Sequence, residues 1–125
     1  MNVFAKIFRK RQKDIPLMPT WDAVVDMMYD RQLDSYADKV LRVTYSKDKS
    51  MRYVILRNEN GLCTYRLEAI YQYNPEEWVY LSVHKDPLPA MWEPIHGVVG
   101  KSVFENIDEL LTEMEAEPEY KRYFV

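Results

Sequence analysis

Apolar residues recur at two different periods along this chain, and the change of period divides it. Trp21, Val24, Val25, Met28 and Tyr29 fall at i, i+3, i+4, i+7 and i+8, the spacing that gathers side chains on one side of an α-helix. Thr20 suits the N-cap and Asp22 the positive first turn, so an amphipathic helix is predicted to end between Arg31 and Asp34.

From Lys39 the period drops to two. VLRVTY, MRYVIL, LCTYRLEAIYQY and WVYLSVH are rich in β-branched and aromatic residues, and the SKDKS, NENG and NPEE between them form turns, which predicts a four-stranded antiparallel meander. In the third strand Cys63, Tyr65, Leu67, Ala69, Tyr71 and Tyr73 share one phase. Leu62, Thr64, Arg66, Glu68, Ile70 and Gln72 share the other, so one sheet face is expected to be packed and the other largely wet.

KDPLPAMWEPIHGVVG has too many prolines and glycines for a helix and reads as an irregular loop, in which IHGVV offers a short fifth edge strand. Ser102 and Glu105 have capping-box spacing ahead of Phe104, Ile107, Leu110, Leu111 and Met114, predicting a second amphipathic helix that ends before Pro118. EPEYKRYFV restarts a turn with Pro118 at its first position and Tyr120, Tyr123 and Phe124 on one side. The expected class is α+β: a two-layer sandwich in which N-terminal and C-terminal amphipathic helices flank the meander on one face.

Two prolines in IPLMPT separate a basic arm, residues 1–16, from a single α+β domain, residues 17–125. A length of 125 residues with 47% hydrophobic side chains suffices for one core. Charge sharpens the division: residues 1–13 hold five cations and no acid, leaving 12 cations against 20 acids, or 12 − 20 = −8, in the rest. As a helix, the arm sets Val3, Phe4, Ile7 and Phe8 in one arc with Lys6, Arg9 and Lys10 outside it, the pattern of a short interfacial helix. Phe4, Lys6, Ile7, Phe8, Arg9 and Lys10 are therefore candidates for weak, reversible contact with an anionic membrane surface. The rival readings are a solubilising tail, an arm docked on the acidic body of its own or a neighbouring chain, and a nucleic-acid arm.

Body charge counts against nucleic acid, because phosphate neutralisation supplies most of such binding, and the sheet aromatics read as packing. Cys63 is the only cysteine, so no intrachain disulfide forms and a reducing compartment is expected. Pro16 and Pro19 interrupt any signal-peptide core, and no apolar run approaches the roughly 18 residues of a membrane span, so the expected location is cytoplasmic, with transient membrane contact at most.

Candidate chemistry is thin. A Cys63, His84, Asp86 arrangement can be written down, but Cys63 falls on the apolar phase of its strand, where a buried thiol is the ordinary reading. His84 and His96 fit no zinc spacing, and Gly61, Gly97 and Gly100 form no phosphate loop, so no catalytic residue, metal or cofactor is expected. What stands out is an acidic ladder, Asp22, Asp26, Asp30 and Asp34, which is either a solvated face or a surface for a basic partner. Trp92, set between prolines, either plugs the domain edge or lines a binding site. The leading expectation is a non-enzymatic protein-interaction module, in one concrete form an immunity-type inhibitor that occludes a basic toxin. The alternatives are a small-molecule or enzymatic pocket at the 84–96 loop and a membrane-peripheral protein acting through residues 1–13; the oligomeric state is left open.

Overall fold

A computed structural model describes residues 15–95 and 103–125. Helix α1 (Trp21–Met28) opens on Thr20, whose hydroxyl accepts the Ala23 N–H, and it buries Val24, Val25 and Met28. It ends earlier than its periodicity implies, because Asp30 and Gln32 take left-handed backbone, φ 56° and 60°, before a 3-10 turn at Leu33–Ser35. Continuing an α-helix through two such residues is sterically unfavourable.

Strands β1 (Lys39–Tyr45), β2 (Met51–Arg57), β3 (Cys63–Gln72) and β4 (Ala90–Pro94) form one sheet in sequence order, with every neighbouring pair antiparallel. The segment expected as the fourth strand, WVYLSVH, is not one. It belongs to helix α2 (Pro75–Leu81) and the turn after it. The Glu77 N–H donates to Asn74 Oδ1 at 2.8 Å, the Asn74 N–H donates to Glu77 Oε1 at 3.0 Å, and Pro75 fills the first turn. This capping box outweighs the β-forming composition downstream, and it places His84 in an exposed turn. The fourth strand comes instead from the proline-rich segment expected to be irregular, pairing Ile70 with Trp92. Its Pro94 is tolerable because β4 is an edge strand.

Helix α3 (Ile107–Glu115) is capped by Asn106, which accepts the Glu109 N–H at 2.9 Å, so the helix begins later than the Ser102 and Glu105 pattern implies. Phe104 lies outside it and bridges Cys63 through the backbone. α3 ends before Pro118, and α4 (Pro118–Tyr123) restarts there; Tyr120 and Phe124 pack inward while Tyr123 stays 40% exposed. Apart from Ile95, the proposed fifth strand IHGVV falls outside the described residues.

The α+β class, the four-stranded antiparallel meander and the flanking helices are those expected; the layering is refined. Tyr53 and Leu67 oppose each other in the register and pack with Ile55, Cys63, Leu110 and Met114 under the C-terminal helices. Their neighbours Arg52 and Glu68 also oppose each other, on the other face, where Val24 and Met28 of α1 pack on Ala90 and Trp92. Because alternate strand residues point to opposite faces, the N-terminal and C-terminal helices cover opposite sides of the sheet, and the face expected to be wet carries a second core.

Candidate functional site

The second core fastens α1 by its C-terminal end. The last carbonyls of a helix lack intrahelical donors and carry partial negative charge. Here the sheet supplies both donors and a cation. Trp92 Nε1 donates to the carbonyl of Met28, the last residue of α1, at 2.8 Å, and Arg52 Nη1 donates at 2.8 Å to the carbonyl of Arg31 in the turn that follows the helix. The Trp92 N–H donates to Gln32 Oε1 at 2.8 Å, which occupies one donor of the exposed edge of β4.

Arg52 has no solvent exposure; its Nε donates to Glu68 Oε1 at 2.8 Å, and its guanidinium lies 4.1 Å from the centre of the Trp92 ring. Glu68 Oε2 accepts the Tyr36 hydroxyl, and Arg66 Nε approaches the same oxygen at 3.6 Å. Burial, followed by that hydrogen bond and the Glu68 charge, pushes the Tyr36 phenol up to about 12. Tyr45 meets Trp92 edge to face, donates to Asp30 Oδ1 at 2.7 Å and accepts the Asp30 N–H at 2.8 Å. Trp92, 5% exposed, thus fills the space between α1 and the sheet. Nothing in the alternation of β2 or β3 distinguishes Arg52 and Glu68 from solvent-facing strand charges; opposite signs on adjacent strands were the only signal.

The acidic ladder is divided by this arrangement. Asp22 and Asp26 are exposed on the outer flank of α1, with no ion pair among the described residues. Asp30 has left the helix and is engaged by Tyr45, while Asp34 lies in the 3-10 turn. The remaining stripe is therefore Asp22 and Asp26, bordered by Trp21 and Tyr29, which are 44% and 47% exposed. Phe4, Lys6, Ile7, Phe8, Arg9, Lys10 and His96 lie outside the described residues.

On the other flank of α1 runs a groove of about 610 Å³, walled by Leu17, Pro19, Met27, Trp78, Pro87 and Leu88. Arg31 and Asp86 also line it. Of the 84–96 loop, Asp86, Pro87 and Leu88 line this groove; its other wall is the proline-rich segment before α1 and the helix α2 that strand-like composition concealed. On the opposite sheet face Cys63 is 1% exposed, and Glu117 accepts the Tyr53 and Tyr65 hydroxyls at 2.7 and 3.0 Å. Burial first, then those hydrogen bonds, raise both phenols well above their ordinary range.

Among the described residues no helix is long and apolar enough to cross a membrane, and no three His, Cys, Asp or Glu side chains are grouped to hold a metal ion. No family model, curated protein or solved structure matches the chain.

Proposed function

We propose that this protein is a non-enzymatic interaction module that receives a cationic protein partner on the outer flank of α1, as an immunity-type inhibitor would receive a basic toxin. One observation carries the reading. Asp22 and Asp26 lie exposed on a helix whose far end is fixed to the sheet by Trp92, with Arg52 holding the turn that follows, and exposed aromatic rings adjoin them. A fixed charge pair beside exposed apolar surface is the composition of an interface, where the charges steer encounter and the aromatic rings supply contact area. The described residues hold 11 cations and 19 acids, a net 11 − 19 = −8, so the field around α1 favours a basic partner.

The test begins with the immobilised full chain and a native lysate, after which each retained protein is purified and titrated against wild type and the D22K/D26K variant. Both positions are exposed, so the variant should fold, with a melting temperature lowered by a few degrees at most through loss of the favourable Asp22 charge in the first turn, about 0.3–1 kcal/mol. The expected result is a retained protein of high isoelectric point whose affinity falls at least tenfold on reversal and declines with salt. Undiminished affinity for D22K/D26K would remove the proposal. A second reading is a small-molecule pocket, supported by the groove of about 610 Å³ beside α1.

A further inference from the structure

We infer that the groove beside α1 is the docking site of the chain's own basic segment, residues 1–13. Three observations converge on that occupant. The first is position. The Trp78 indole N–H donates to the Pro16 carbonyl at 2.8 Å, so the peptide just beyond the segment is held on the groove wall. Phe8 is eight residues from Pro16, a reach of up to about 28 Å in extended chain, so nearby binding is intramolecular and proceeds at an effective concentration on the order of millimolar.

The second observation is surface chemistry. Leu17 is 94% exposed and Met27 36% exposed, both on the groove wall, so apolar area there faces solvent until something covers it. A volume of about 610 Å³ accommodates bulky side chains and lies within the roughly 300–1,000 Å³ of clefts that hold small ligands. The third is complementarity. Val3, Phe4, Ile7 and Phe8 supply apolar anchors at helical spacing, while Lys6, Arg9, Lys10, Arg11 and Lys13 supply charge opposite to the −8 of the described residues. Among the described residues Asp86 is the one carboxylate of the groove lining and Arg31 lines the same space, so the groove itself is charge-balanced and the apolar anchors, rather than the cations, are what it receives. Docking in this way covers Leu17 and Met27 and withholds the same apolar residues from a membrane surface. The inference does not depend on the partner proposed for Asp22 and Asp26.

The test uses the full chain with a nitroxide on an Asn2→Cys variant; Cys63, 1% exposed, is shielded from the label. Paramagnetic broadening is read on the methyl groups of Met27 and Leu88, on the Trp78 indole N–H, and on Leu110 and Met114 of the opposite face as controls. The expected result is selective loss of the three groove signals at low protein concentration. In a Phe4→Ser/Ile7→Ser/Phe8→Ser full chain of unchanged melting temperature, those signals should return. Groove signals that persist in the labelled wild type, or broadening equal on both faces, would overturn the inference. Broadening seen only between a spin-labelled copy and a separate isotope-labelled copy would also overturn it, in favour of exchange between two chains. Addition of phosphatidylserine-containing vesicles supplies a further arm: broadening present without vesicles supports docking, whereas vesicle binding with no groove broadening beforehand assigns the segment to the membrane.

Discussion

Replacing Glu68 with Leu removes the one carboxylate among the described residues that pairs with a fully buried guanidinium, that of Arg52. Arg52 and Glu68 side chains are 0% and 4% exposed, and after the change Arg52 keeps the Arg31 carbonyl, the Trp92 ring and the neighbouring Tyr36 and Tyr45 hydroxyls but no counter-charge in contact. Breaking a buried pair by removing one partner costs about 3–5 kcal/mol, because the surviving charge is left without compensation. Against a total stability of about 5–15 kcal/mol for a domain, that is a large fraction. Urea unfolding followed by circular dichroism should show the midpoint falling by roughly 2 M if the slope is about 2 kcal/mol/M.

The second substitution makes the reasoning falsifiable. Arg52→Met in the Glu68→Leu background removes the orphaned charge and restores an apolar core, an exchange that is often neutral or stabilising. It also deletes the donor to the Arg31 carbonyl, a hydrogen bond from a charged group worth about 1.5–3 kcal/mol. The double variant should therefore lie within about 2 kcal/mol of wild type and above Glu68→Leu alone. A Glu68→Leu variant within about 1 kcal/mol of wild type, or a double variant no more stable than the single, would refute the account. Arg52 Nη2 has no hydrogen-bond partner among the described residues, which is a further reason for the apolar replacement to be tolerated.

The tyrosines on both faces predict alkaline unfolding. Tyr36 is raised to about 12 and Tyr53 and Tyr65 are raised further, all chiefly by burial, so the unfolded chain loses these protons first. Their contribution is complete below pH 10 and is lost as pH rises through the folded values; absorbance at 295 nm should show a late phenolate step that coincides with loss of ellipticity. Glu117→Gln should move that step to lower pH, and titration of all ten tyrosines near pH 10 in a native fold would contradict the prediction. Asn74→Ala should cost about 0.5–2 kcal/mol through loss of the α2 cap, lowering the melting temperature and exposing Trp78; an unchanged melting temperature would mean that α2 is held by packing alone.

How much of this was legible depends on whether a residue's role is local. The period-3.6 run from Trp21 and the period-2 runs from Val40 to Tyr73 identified α1 and three strands because each pattern reports its own buried face. WVYLSVH misled because composition was weighed without the Asn74, Pro75 and Glu77 signature immediately before it, although that signature was as local as any other. β4 could not be read locally at all, since it exists by pairing with β3 and its prolines argue for a loop. The site shows the same division. The exposure of Asp22 and Asp26 follows from helical phase, whereas the turning of Asp30 toward Tyr45 depends on a left-handed backbone that no spacing rule predicts.

The two faces of the sheet also differ in what they do for the surface above them. Under α3 and α4 the contact is mainly apolar, with Glu117 clamped by two hydroxyls. Under α1 it is a charged and aromatic network directed at the helix C-terminus. A helix of eight residues is below the roughly 12–15 at which isolated helices become even marginal in water, so α1 exists as a surface only because the sheet satisfies its end and buries one side. The geometry of Asp22 and Asp26 therefore depends on Arg52, Glu68 and Trp92, which are buried and out of a partner's reach. A partner that binds α1 should consequently be sensitive to Glu68→Leu as well as to charge reversal at the surface, the first through loss of the helix and the second with the helix intact. Far-ultraviolet ellipticity of the two variants separates these routes to the same loss of affinity.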